Sequence, residues 1–288
     1  MVILEQVPAG RYNGAMTTIS NLHTHSRYCD GRNTMDEMIQ AAIEAGFISL
    51  GFSGHCPTGF PDDDCQIRDI DGYFNELEKE KEKYAGTITI FKGLELESRV
   101  SGMGRPVIDP RCDYTIGSDH LFWTKEGPHS VDYTPEEWNN ALRITGSIEK
   151  LMECYYEELC SFAEEVPFNI IGHVDLYTKF NEGGRLFDEN NPKYRALALH
   201  YIERLAKTGK IFEVNTGAIG KGYRDTPYPS PFILKRLHEL KAPIILSSDS
   251  HSVGTICCHF DEAEKMLRDM GFAEQMRLTE NGFVSVPL

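Results

Sequence analysis

The sequence predicts an α/β fold, a distorted (β/α)7 barrel in a single domain, and three observations carry that expectation. Apolar, strand-like runs alternate with segments of helical period, as in successive βα units of a parallel sheet. Each run stops at a polar residue able to bind a metal or a substrate, and there are seven such runs, one short of the common eightfold barrel. Side chains at the carboxyl ends of parallel strands converge on one rim, so residues more than two hundred positions apart can share a few atoms of space. A chain of 288 residues suits one such domain with a substantial core.

Taken in order, residues 1–16 contain Pro8, Gly10 and Gly14 and resemble neither a core strand nor a targeting peptide. They are expected to form a flexible extension, leaving 17–288 as the barrel domain. The first run, Thr18–Leu22, stops at His23 and His25. A helix follows: Thr34 and Glu37 form a capping-box pattern, Met35, Met38, Ile39, Ala42 and Ile43 recur at three and four, and Gly46 marks the stop. Phe47–Phe52 leads to His55, and a helix at about 71–84 ends before Gly86. Thr87–Lys92 leads to Glu95, and Tyr114–Ile116 to His120. Leu121–Asn140 then reads as a long rim loop, and a helix spans about 147–164. Phe168–Ile171 leads to His173, Tyr177–Pro192 is a second long rim connection, and a helix spans about 193–208. Lys210–Val214 leads to Asn215, a helix spans about 230–240, and Pro243–Leu246 leads to Asp249 and His251 before a last helix at about 260–270.

Composition narrows the partners. With 29 Lys+Arg against 44 Asp+Glu the net charge is -15, the wrong sign for gripping a polyanion, so nucleic acid is not expected. A small phosphorylated molecule is compatible, because metal ions and one or two basic side chains reverse the potential inside a cleft. The eight cysteines form no C-x-x-C pair and there is no cleavable amino-terminal signal, which points to reduced thiols in a cytoplasmic protein. No apolar run approaches the roughly 20 residues needed to cross a bilayer. Oligomeric state is not legible.

His23 and His25 lie two apart on an extended backbone, share a face, and can reach one ion. Together with Asp30, His55, Glu95, His120, His173, Asp249 and His251 they make nine imidazole or carboxylate donors at strand ends. That is too many for one divalent ion, which takes about four to six donors, so two or three ions are implied. Glu95 is the natural bridge, since its two oxygens can hold two cations. Mixed imidazole and carboxylate sites accept zinc, manganese or iron. The other four histidines, His129, His200, His238 and His259, fall in loops or helices and are expected to be ordinary surface or core residues.

The order His23-Thr24-His25, His55, Gly93-Leu94-Glu95, Gly117-Ser118-Asp119-His120, Gly172-His173 and Ser248-Asp249-Ser250-His251 resembles the polymerase and histidinol phosphatase (PHP) superfamily of metal-dependent phosphoesterases. The likeness runs from about residue 18 to residue 251. It is closer to the PHP-type histidinol-phosphate phosphatases at Tyr28-Cys29-Asp30-Gly31, Ile171-Gly172-His173-Val174-Asp175-Leu176, Asn215-Thr216-Gly217 and Tyr228-Pro229-Ser230-Pro231. The resemblance implies a (β/α)7 barrel holding three divalent ions. One would take His23, His25, Glu95 and Asp249, a second Glu95, His120 and His173, and a third Asp30, His55 and His251, with Glu95 and Asp249 as the catalytic carboxylates. It also implies hydrolysis of L-histidinol phosphate to L-histidinol and inorganic phosphate, as a step of histidine biosynthesis. Two departures stand out: Asp30 where many members carry histidine, and Asp119 where a small apolar residue is usual.

For such a reaction, a water shared by two ions and acidified toward pKa ~7 is the expected nucleophile, and no protein nucleophile is required. Basic residues on the rim loops, Lys179 and Arg185 after the fifth strand and Lys221 and Arg224 after the sixth, are candidate phosphate clamps, with Lys179 and Arg224 preferred. Phe122, Trp123, Tyr177 and Tyr223 could wall an imidazole ring or simply pack, and Asp132, Glu136 and Glu137 could face an ammonium or begin a helix. Three alternatives stay open: a PHP phosphoesterase acting on another small ester, an amidohydrolase, and a metal-stabilised module without catalysis. The amidohydrolase class usually bridges its metals with a modified lysine on the fourth strand, whereas here a glutamate on the third strand is available.

Overall fold

The computed structural model describes residues 20–60, 63–102, 104–125 and 127–288. The expected extension 1–16 and the start of the first run lie outside the described residues. Seven parallel strands follow one another in chain order: β1 Ser20–Asn21, β2 Ser49–Phe52, β3 Thr89–Glu97, β4 Tyr114–Ser118, β5 Ile170–Ile171, β6 Ile211–Asn215 and β7 Ile244–Ser247. The ends of the sheet meet just past β1 and β7. There His25 N donates to Ser250 O at 2.8 Å and Ser250 N to His23 O at 3.1 Å, closing a distorted (β/α)7 barrel.

Alternation along the strands sorts the side chains. Ile90, Leu94 and Leu96 of β3, Phe212 and Val214 of β6, and Ile244 and Leu246 of β7 pack outward against the helices. Leu22, Phe91, Tyr114, Ile116, Ile170, Ile211 and Ile245 fill the barrel interior as a separate apolar layer. One to three steps further along the same faces come Glu95, Glu97, Glu213 and Ser247, so the interior changes from apolar floor to polar mouth within a few residues. β3 runs on to Glu97 instead of stopping at Lys92, because Gly93–Glu97 stays buried and paired in register with Tyr114–Ser118. Glu95 therefore sits within a strand and not just beyond one.

The helices Met35–Glu44, Ile70–Lys83, Ile148–Glu165, Pro192–Ala206, Pro231–Glu239 and Phe260–Asp269 occupy the expected stretches. The first begins with the expected capping box: Thr34 Oγ1 accepts from Glu37 N at 3.2 Å and Glu37 Oε2 from Thr34 N at 2.8 Å. The stretch 121–140 is not one loop. It holds an antiparallel hairpin, Leu121–Thr124 with Gly127–Ser130, and the start of the helix Pro135–Thr145. A second hairpin, Glu274–Thr279 with Gly282–Pro287, caps the barrel floor, where Leu278 joins the interior layer and Met276 and Phe283 pack against it. Among the described residues no helix is long and apolar enough to cross a membrane.

Candidate metal centre

All nine donors expected from the sequence come together at the carboxyl-end rim. Four overlapping groups have ligand atoms within 4.8 Å of one another: His25, Asp30, His55 and His251; His23, His25 and Glu95; His23, His173 and Asp249; and His55, Glu95 and His120. Glu95 is central and its two oxygens face different sets. Oε1 lies 3.0 Å from His173 Nε2 and 3.6 Å from His120 Nε2, while Oε2 lies 3.2 Å from His23 Nε2, 3.5 Å from His25 Nε2 and 3.1 Å from His55 Nδ1. Asp249 adopts φ 48°, a left-handed conformation that aspartate tolerates. Its Oδ1 stands 3.3 Å from His25 Nε2 and 3.6 Å from His23 Nε2. On the outer side Asp30 lies 3.1 Å from His251 Nε2, 3.4 Å from His25 Nδ1 and 3.7 Å from His55 Nε2, and the rings of His25 and His251 stack at 4.0 Å.

The residues fit several cations. His23 Nε2, His25 Nε2 and Glu95 Oε2 are buried, converge, and make no hydrogen bond. Buried polar atoms are rarely left so, and a cation bound by all three would satisfy them. The electrostatics agree. Burial and the neighbouring His251 and His55 push His25 down to about 3, so its ring is neutral and offers a lone pair. Burial would lower His120, but the Glu97 hydrogen bond and the charges of Glu95 and Glu97 outweigh it and carry the ring up to about 9. Burial would likewise neutralise Glu95, yet His23 and His55 hold its carboxyl well below the usual range. Such a carboxylate-rich pocket attracts positive charge, whether protons or metal ions.

Two carboxylates behind this ring carried no sequence expectation. Glu97 Oε2 meets His120 Nδ1 at 2.8 Å, and Glu213 Oε1 meets His23 Nδ1 at 2.5 Å. Alternation in β3 and β6 could have found both, since they share faces with Glu95 and Ile211. Asp119, the unusual residue before His120, is buried, accepts from Ser98 Oγ at 2.7 Å, and is pushed well above the carboxylate range by burial and the Glu97 charge. Through Ser98 Oγ, which also lies 3.4 Å from Glu97 Oε1, it stands on the Glu97 side of the centre.

The basic loop residues divide. Lys221 Nζ comes within 3.7 Å of Asp249 Oδ2. Lys179 donates to Asp132 O at 2.7 Å and Asp132 Oδ2 at 3.2 Å, and Arg185 to Glu182 O at 3.0 Å. Arg224 is buried, with Nη1 donating to Thr178 O at 2.8 Å and both terminal nitrogens donating to the Glu189 carboxylate. Of the aromatic candidates, Phe122 and Tyr177 are core residues, Trp123 lies against Phe60, and Tyr223 is exposed beside Lys179. Glu136 and Glu137 open a helix, whereas Asp132 pairs with Lys179. All eight cysteines are free thiols.

Residues 21–217 match the PHP domain family. The chain belongs to that family. That membership removes the amidohydrolase alternative. A probable histidinol-phosphatase of Schizosaccharomyces pombe is 28% identical over 267 residues, covering 86% of this chain and 86% of that protein. A probable histidinol-phosphatase of Deinococcus radiodurans is 29% identical over 271 residues, covering 89% and 95%. Among solved structures, the histidinol phosphate phosphatase of Lactococcus lactis, complexed with zinc, L-histidinol and phosphate, shares the fold. Its TM-score is 0.68 at 20% identity, covering 92% of this chain and 98% of that one.

Proposed function

We propose that this PHP protein is a metal-dependent histidinol-phosphatase, hydrolysing L-histidinol phosphate to L-histidinol and inorganic phosphate. The observation that carries the metal-dependent part is the division of Glu95, with one oxygen among His120 and His173 and the other among His23, His25 and His55. In this reading His23, His25, Glu95 and Asp249 hold one ion, Glu95, His120 and His173 a second, and Asp30, His55 and His251 a third. When bound, such cations supply acidified water and positive charge for the phosphoryl oxygens. The substrate is supported by histidinol-phosphatase relatives that cover nearly the whole chain.

Lys221 is the basic residue that reaches the donor ring itself, so it is the first assignment for a direct phosphoryl contact. Lys179 and Arg224 act on the phosphate only by exchanging their present carboxylate partners Asp132 and Glu189. The reading places the enzyme in the cytoplasm, in keeping with its free thiols. Phosphate release should be measured on L-histidinol phosphate, other small phosphate esters and single-stranded DNA, after loading with zinc, manganese or iron in turn. A clear kcat/KM preference for L-histidinol phosphate is expected. Equal rates on the other esters would overturn the substrate, and no turnover with any metal would overturn the activity.

A further inference from the structure

We propose that Glu213 is a positioning residue that fixes the histidines on both sides of Glu95 and so sets how tightly one ion is held. The inference rests on reading the cluster as a metal centre and is independent of the substrate. Glu213 lies inside the barrel, 1% exposed, on the face of β6 that carries Ile211 one step below. Its carboxylate accepts four hydrogen bonds from four places on the barrel wall. Oε1 takes His23 Nδ1 and the Ser247 hydroxyl, each at 2.5 Å, and Oε2 takes the His173 backbone N–H at 2.8 Å and Asn215 Nδ2 at 3.1 Å.

The consequence follows from which atoms can donate. The Glu213 carboxylate only accepts, so the neutral His23 ring that would bind a cation must carry its proton on Nδ1, with the Nε2 lone pair on the side of Glu95 Oε2 and Asp249 Oδ1. The same carboxylate clasps the backbone of His173, whose Nε2 sits 3.0 Å from the other oxygen of Glu95. One buried group thus orients a ligand on each side of the bridge, and carboxylates behind metal-binding histidines commonly act this way.

Glu213→Gln turns the argument into a test, because the amide has one accepting and one donating end. The Oε2 side faces a backbone N–H that cannot turn round, so the amide oxygen must stay there and the amide nitrogen must face His23. His23 then accepts at Nδ1 and carries its proton on Nε2, where the ion would bind. Ions bound should be counted at chelator-buffered free zinc for the wild type and Glu213→Gln, with circular dichroism checking the fold. The variant is expected to weaken one ion by about 10–100-fold and leave the rest in place. Equal affinity for every ion, or equal weakening of all, would overturn the proposal, the second outcome marking a merely structural role. A wild type that binds no ion would sink the metal-centre reading instead. Should the variant not fold, proton NMR of the zinc-loaded wild type decides. A downfield, exchange-protected imidazole N–H that disappears in His23→Gln is expected, and its absence overturns the assignment.

Discussion

At the scale of single residues, the site is a set of carboxylates whose roles separate by what each oxygen touches. Glu95 faces five histidines, two with one oxygen and three with the other, so Glu95→Gln removes charge from two ion positions at once. Its turnover should fall by more than the roughly 10–100-fold typical of an outer carboxylate, together with a loss of bound metal by elemental analysis; full metal content would refute the bridge. The basic residues separate too. Arg224→Ala leaves the Glu189 carboxylate and the Thr178 carbonyl without their partner in a buried setting, which should cost on the order of 3 kcal/mol in urea unfolding. Lys221→Ala should leave that curve within about 0.5 kcal/mol and raise KM roughly tenfold, the worth of one charge-assisted hydrogen bond. If Arg224→Ala raised KM with stability intact, the two assignments would exchange. The six histidine donors were legible because histidine at the end of an apolar run is conspicuous, and Glu95 and Asp249 because each closely follows such a run. Glu97 and Glu213 were not, because Glu97 lies two residues beyond a donor already assigned and Glu213 lies inside the run Lys210–Val214, and only the register shows that both face the interior.

At the scale of elements, legibility followed the strength of the local pattern. Thr34 and Glu37 announced the first helix because both capping partners are encoded three residues apart, and the hydrogen bonds form as expected. The rim hairpin Leu121–Thr124 with Gly127–Ser130 was missed because its turn lacks the Asn-Gly or Asp-Gly signal of tight hairpins. The floor hairpin does carry Asn281-Gly282, but only Gln275 and Leu278 of its first strand are buried, so its apolar alternation is faint. Close packing between elements yields a sharper expectation. A Cβ on Gly117 in β4 would lie 2.5–2.6 Å from three ring atoms of Phe168, a contact that backbone and ring must move to relieve. Gly117→Ala should therefore lower unfolding free energy by roughly 1–3 kcal/mol, as overpacking of a filled core does, measured by urea denaturation. An unchanged midpoint would mean that Phe168 can turn aside freely.

At the scale of the whole molecule, the barrel joins an apolar floor to a mouth crowded with negative charge. The interior layer from Leu22 to Ile245 is packed below by Leu278, with Met276 and Phe283 against it, so the acids sit above an apolar floor. Asp30, Glu95, Glu97, Glu213 and Asp249 are drawn around the same histidines, in a chain whose net charge is already -15. Their mutual repulsion opposes folding unless positive charge enters, and metal ions that bind the folded mouth but not the unfolded chain supply it. Removing the ions with a chelator should therefore lower the melting temperature, and restoring zinc should raise it. One ion at a hundred times its Kd contributes about 2.7 kcal/mol, which for a domain of this size corresponds to roughly 5–10 °C. Sodium chloride should not reproduce the recovery, because buried pairs are screened far less than exposed ones. Differential scanning calorimetry with and without chelator checks this. If the two melting curves coincided, the acids would be balanced by the imidazoles alone, and the case for a cation-holding mouth would fail with them.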